Sequence, residues 1–148
     1  MLNYMPSIEE RFSAALHGSA RAWRLAIDRR LKHLGLSQAS WMAIALTAKE
    51  AEPPSQTRLA ARAGVEDPTM VATIDRLVKA GYMVRTPSET DRRVKLLSLT
   101  PAGQEIYQSV WQEADVFRRE LLGNVDPEML RNVTLFLEAI QANIESLP

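Results

Sequence analysis

The sequence predicts a mainly helical fold of the α+β type, a winged helix-turn-helix flanked by long helices at both ends. Three observations point to it. Apolar residues recur at three- and four-residue spacing over residues 8–31 and 130–147, which marks amphipathic helices. Two short helical stretches meet at Gly64, the pattern of a helix-turn-helix. A polar, charged stretch, residues 86–93, then separates two short strand-like segments.

Each element has its own signals. Ile8, Phe12, Leu16, Trp23, Ile27 and Leu31 give one face of a first helix that runs to about His33 and stops at Gly35. Ser37 is a good N-cap for a second helix, Gln38 to about Glu50, with Trp41, Ile44 and Ala45 on one face; Pro53 and Pro54 end it. Ser55 caps a short helix, Gln56 to Ala63, with Leu59 and Ala60 inward. Asp67 reads as the cap of the next helix, Pro68 to Ala80, with proline at its first position. Its expected buried set is Val71, Ile74, Leu77 and Val78, with Thr69, Ala72, Thr73 and Arg76 outside. Strands are expected at Tyr82–Arg85 and Val94–Leu99, joined by the loop Thr86–Arg93. Thr100 and Pro101 start a helix striped with Ile106, Val110, Phe117 and Leu121. After Gly123 and Asp126-Pro127 comes a last helix with Leu130, Val133, Leu137, Ile140, Ile144 and Leu147. That alternating three–four spacing is a helix-packing seam, too short for a free coiled coil and suited to a dimer interface.

Composition narrows the function. Of 148 residues, 46% are apolar, enough for a core. There is no cysteine, which excludes disulfides, thiolate zinc sites and a thiol-based peroxide sensor. His17 and His33 alone make a poor metal site, and no cofactor is expected. No nucleophile–base pair or glycine-rich phosphate loop suggests an enzyme; Glu9 and Glu10 read as a solvated helix face. The N-terminus lacks the apolar core of a signal peptide and no run is long enough to span a bilayer, so a cytoplasmic protein is expected. Net charge is zero but uneven. Residues 58–95 hold eight basic and five acidic side chains, residues 96–148 three and eight.

The helix-turn-helix and its hairpin carry the functional expectation. A helix fits the major groove, where every base pair shows a distinct donor and acceptor pattern. Thr69 and Thr73 offer hydroxyls there, and Arg76 a guanidinium. The helix starts at Gln56 and Pro68 offer partial positive charge to phosphates. Two such helices also occur as an ordinary hairpin in a bundle. At the loop tip, Asp91, Arg92 and Arg93 serve no core; an arginine there suits a narrow minor groove, with Asp91 pairing to Arg93 and holding it extended. A plain solvated charge cluster is the alternative.

The run DRRVKLLSLTPAG, Asp91 to Gly103, resembles the wing signature of the MarR family. Pro68-Thr69 through Asp75-Arg76-Leu77 to Gly81-Tyr82 is similar to that family's recognition helix and its exit. Ala22-Trp23-Arg24 and the run Leu34 to Trp41 resemble its SlyA branch. The resemblance implies a single domain over residues 1–148, with a DNA-binding lobe at 37–100 and a helical dimerisation region at 6–34 and 101–147. It implies a homodimer on a pseudo-palindromic duplex, half-sites about one helical turn apart. Gln56, Pro68, Thr69, Ala72, Thr73, Arg76, Asp91, Arg92 and Arg93 are the implied DNA-binding residues. Ala72 stands where relatives often carry a longer polar or basic side chain, so the operator is expected to differ. The resemblance also implies release by a small aromatic carboxylate or phenol, for which Trp23, Arg24, Arg30 and Trp41 offer aromatic walls and cations. Both tryptophans lie on apolar faces, where core packing explains them more simply. A winged helix that binds another protein instead of DNA is the remaining alternative.

Overall fold

A computed structural model describes residues 4–148. The chain forms two compact units, one up to Ala114 and one from Asp115.

In the first unit, α1 (Ile8–Leu31) ends in a short 3-10 turn, Lys32–Leu34. Its start is closed by a capping box: Glu10 N donates to Ser7 Oγ at 3.2 Å and Ser7 N donates to Glu10 Oε2 at 2.9 Å. Glu10 thus has a local task that the reading of a merely solvated face missed. Of the expected apolar face only Ile27 and Leu31 are buried; Ile8 and Phe12 remain exposed. Helix α2 (Gln38–Lys49) is capped by Ser37, which accepts from Ser40 N at 3.2 Å. Ala43, rather than Ala45, joins Trp41 and Ile44 in the interior.

Helix α3 (Gln56–Ala63) is capped by Ser55 at 3.1 Å from Arg58 N. The chain reverses at Gly64, whose φ of 68° lies in the left-handed region that only glycine enters cheaply. Helix α4 (Asp67–Lys79) follows. It begins at Asp67 with Glu66 as N-cap and no side-chain cap, so the expected Asp67 cap lies one residue inside the helix.

The core comprises Ala43, Ile44, Leu59, Ala60, Met70, Ile74, Leu77, Met83 and Leu97. It joins α2, α3, α4 and a two-stranded antiparallel wing, β1 (Met83–Pro87) and β2 (Lys95–Leu99), in register Met83 to Leu99 and Pro87 to Lys95. β1 begins one residue later than expected and takes in Thr86 and Pro87; proline is tolerated at the last position of an edge strand. Leu97 N donates to Pro54 O at 2.9 Å, tying the wing to the residue pair before α3.

Helix α5 (Pro101–Leu122) starts on a clamp. Thr100 Oγ1 donates to Gly81 O at 2.6 Å and accepts from Gly103 N at 3.0 Å. Ile106 and Tyr107 pack on the core and Val110 is buried.

The second unit holds the end of α5 and helix α6 (Pro127–Glu145). Asp126 caps α6 by accepting from Met129 N at 3.0 Å. No residue of α6 is buried in the single chain; Val133, Leu137 and Ile144 of the expected seam are exposed.

Candidate nucleic-acid interface

Helix α4 presents one stripe outward and one inward. Thr69, Ala72 and Arg76 are exposed at three- and four-residue spacing, flanked by Pro68, Val71, Asp75 and Lys79. The inward stripe is Met70, Thr73, Ile74 and Leu77. This corrects two expectations. Val71, expected inside, is exposed, and Thr73, expected outside, is 1% exposed. The apolar residues at 70, 71, 74, 77 and 78 span more than one face, so two helical phases fit the sequence. Burying Thr73 is inexpensive because its hydroxyl donates to Thr69 O at 2.9 Å, one turn back. Thr73 therefore offers no hydroxyl to a groove; it accepts a long hydrogen bond from Arg76 Nη2 at 3.4 Å.

The wing tip is a short turn, with Val94 N donating to Asp91 O at 2.9 Å and Ser88 N to Val94 O at 2.9 Å. Asp91 Oδ1 accepts from Arg93 N at 3.1 Å and from Arg93 Nε at 3.2 Å. The Arg93 side chain is nonetheless 91% exposed, so the aspartate holds it outward rather than covering it. Arg92 beside it is exposed.

Gln56, on the first turn of α3, is partly exposed, and its Oε1 accepts from Arg85 Nε at 2.7 Å. Arg85 Nη2 donates to Asp75 Oδ1 at 2.6 Å, which links wing, α3 and α4. Sequence reasoning passed over Arg85, because nothing local marks a strand arginine as facing a helix residue ten positions earlier. Behind α3, Glu50 at the end of α2 accepts from Arg58 Nε at 3.3 Å and pairs with Arg62. The Arg62 hydrogen bond, then that of Arg58, holds its carboxyl below the ordinary carboxylate range.

The four residues expected to hold a small ligand differ in exposure. Trp41 is buried, its Nε1 donating to Asp28 Oδ1 at 3.2 Å, which ties α1 to α2. Trp23 and Arg30 are half-buried. Arg24 lines a cleft of about 360 Å³ with Arg21, Leu25, Met42 and Val65. Among the described residues no three histidine or acidic side chains are grouped to hold a metal ion. Among the described residues no helix is long and apolar enough to cross a membrane.

Comparison with known proteins agrees with this architecture. The MarR family model matches residues 36–95. The crystal structure of the transcriptional regulator PA3341 is similar at 35% identity, covering 92% of this chain and 99% of that one, with a TM-score of 0.86. CouR from Rhodococcus jostii RHA1, solved bound to p-coumaroyl-CoA, is similar at 22% identity over 92% of this chain and 95% of that one, TM-score 0.79. The transcriptional regulator SlyA is similar at 18% identity over 90% and 93%, TM-score 0.78. The last two likenesses are of fold, and the likeness to SlyA singles out no branch.

Proposed function

The chain belongs to the MarR family of DNA-binding transcription regulators, and from that premise we propose that it acts as a homodimer on a pseudo-palindromic operator. The observation that carries this reading is the pairing of an outward stripe on α4, Thr69, Ala72 and Arg76, with a wing-tip arginine held outward by its own aspartate. The stripe suits base edges in the major groove, where Ala72 offers an apolar contact to a thymine methyl and Arg76 a donor fork. Arg93, with Arg92 beside it, suits the negative potential of the minor groove. Gln56 and Pro68 stand at helix starts, where backbone N–H groups suit phosphate oxygens. The unburied apolar seam of α6 and the exposed Ile8 and Phe12 of α1 support association of two chains.

The ligand that releases this regulator is, in our reading, a small aromatic carboxylate or phenol. Arg21 and Arg24 supply the cations of the cleft, and Leu25, Met42 and Val65 its apolar walls. A relative of the same fold, CouR, was solved with p-coumaroyl-CoA. Such a ligand acts by favouring a chain arrangement whose two recognition helices no longer match adjacent grooves. Its leverage equals its differential affinity for the two arrangements, about 1–3 kcal/mol in typical cases.

Selection of bound sequences from a random duplex pool tests the reading. The expected result is an inverted repeat with half-site centres about one helical turn apart, bound with a steep salt dependence. No enrichment at low ionic strength, or a weak salt response, would sink it and favour a protein partner. Salicylate titrated onto the selected complex is expected to release it; unchanged operator affinity at a concentration that shifts the protein's melting temperature rules out the ligand arm.

A further inference from the structure

The polar contacts of α4 run inward to the wing as well as outward. Arg85 on β1 has a side chain only 25% exposed, and its guanidinium serves three groups on two other elements. Nε donates to Gln56 Oε1 on α3 at 2.7 Å; Nη2 donates to Asp75 Oδ1 at 2.6 Å and reaches the Val71 carbonyl at 3.4 Å, both on α4. We propose that Arg85 is a positioning residue of the DNA interface, cancelling the charge of Asp75 on the recognition surface and turning the Gln56 amide so that its NH2 faces outward. The proposal rests on the DNA-binding reading above.

Two chemical arguments support it. A guanidinium carries donors only, so the Gln56 atom that faces it is the amide oxygen. The end left over is an NH2 group, two donors on the first turn of α3, which a phosphate oxygen accepts and a carbonyl-first orientation would repel. Asp75, meanwhile, is 59% exposed and adjoins Arg76 and Ala72 on the same surface. A bare carboxylate there lies well within a Debye length of any phosphate in the groove and opposes it. The amide and the carboxylate are served by two separate nitrogens of the planar fork, Nε and Nη2, where lysine has a single nitrogen.

A mutant cycle on the selected duplex, read by fluorescence anisotropy across a salt series, tests this. Wild-type binding is the control, and its absence overturns the DNA-binding reading and this proposal with it. Arg85→Ala is expected to weaken binding about tenfold or more. Asp75→Asn alone stays within about threefold of wild type, and added to Arg85→Ala it recovers about threefold or more, because the bare charge is gone. Gln56→Ala costs less in the Arg85→Ala background than in wild type. Melting curves report folding for every variant, and Arg85→Lys carries the same comparisons if Arg85→Ala does not fold. A purely structural bridge predicts the opposite: the double variant binds no better than Arg85→Ala, and losses follow the unfolded fraction. Either that pattern or wild-type affinity in Arg85→Ala overturns the proposal.

Discussion

Arg93 illustrates how a residue's value here lies in pose and not in stability. Its bond to Asp91 is solvent-exposed, and exposed ion pairs contribute only about 0–1 kcal/mol. Arg93→Ala is therefore expected to leave the melting temperature unchanged while weakening operator binding by about 1–3 kcal/mol, measured by titration at fixed salt. Unchanged affinity would show that the wing tip does not touch the duplex. Gly103 is the converse case, a residue that matters for packing. A Cβ placed there would sit 2.1 Å from the Tyr82 carbonyl oxygen, where the wing hands over to α5. Backbone cannot move aside as a side chain can, so Gly103→Ala is expected to cost about 1–3 kcal/mol in urea unfolding. A variant as stable as wild type would mean that the clamp of Thr100 on Gly81 is looser than the structure shows.

At the scale of elements, the helix-turn-helix is braced from behind by Glu50, which joins the end of α2 to Arg58 and Arg62 of α3. Its carboxyl is held below the ordinary range, chiefly by the Arg62 hydrogen bond. A folded-state pKa lower than the unfolded one stabilises the fold above the unfolded value, and the benefit is lost as pH falls through the folded value. Unfolding curves at a series of acidic pH values are expected to show a smaller loss of stability in Glu50→Gln than in wild type. Identical pH profiles would remove Glu50 from the brace. The helix limits themselves were largely legible: Ser37 and Ser55 cap where their sequence neighbours suggest, because a cap depends on residues within one turn. The phase of α4 was not legible. Its five apolar positions allow two inward faces, and contact with α2, α3 and the wing selects the one that buries Met70 and Thr73.

For the molecule as a whole, no residue of α6 is buried, and Val133, Leu137 and Ile144 of its apolar seam are exposed. Leu137→Asp places a charge in the middle of that seam and is expected to turn the proposed dimer into a monomer by light scattering. A variant that remains dimeric would move the interface elsewhere. On the proposed two-half-site operator, loss of the proposed dimer is also expected to lower affinity far more than it lowers binding to a single half-site.

Local signals were enough for the order and approximate limits of the helices, the turn at Gly64, the wing and the aspartate–arginine pair at its tip, because caps, glycine, proline and two-residue contacts act within a few positions of the chain. Which face of α4 looks outward, the hydrogen bond of Trp41 to Asp28, and the reach of Arg85 to Asp75 and Gln56 follow from the folded chain alone. Those outcomes depend on groups ten or more residues apart, brought together by burial of a shared core whose cross-element pairings local spacing does not specify.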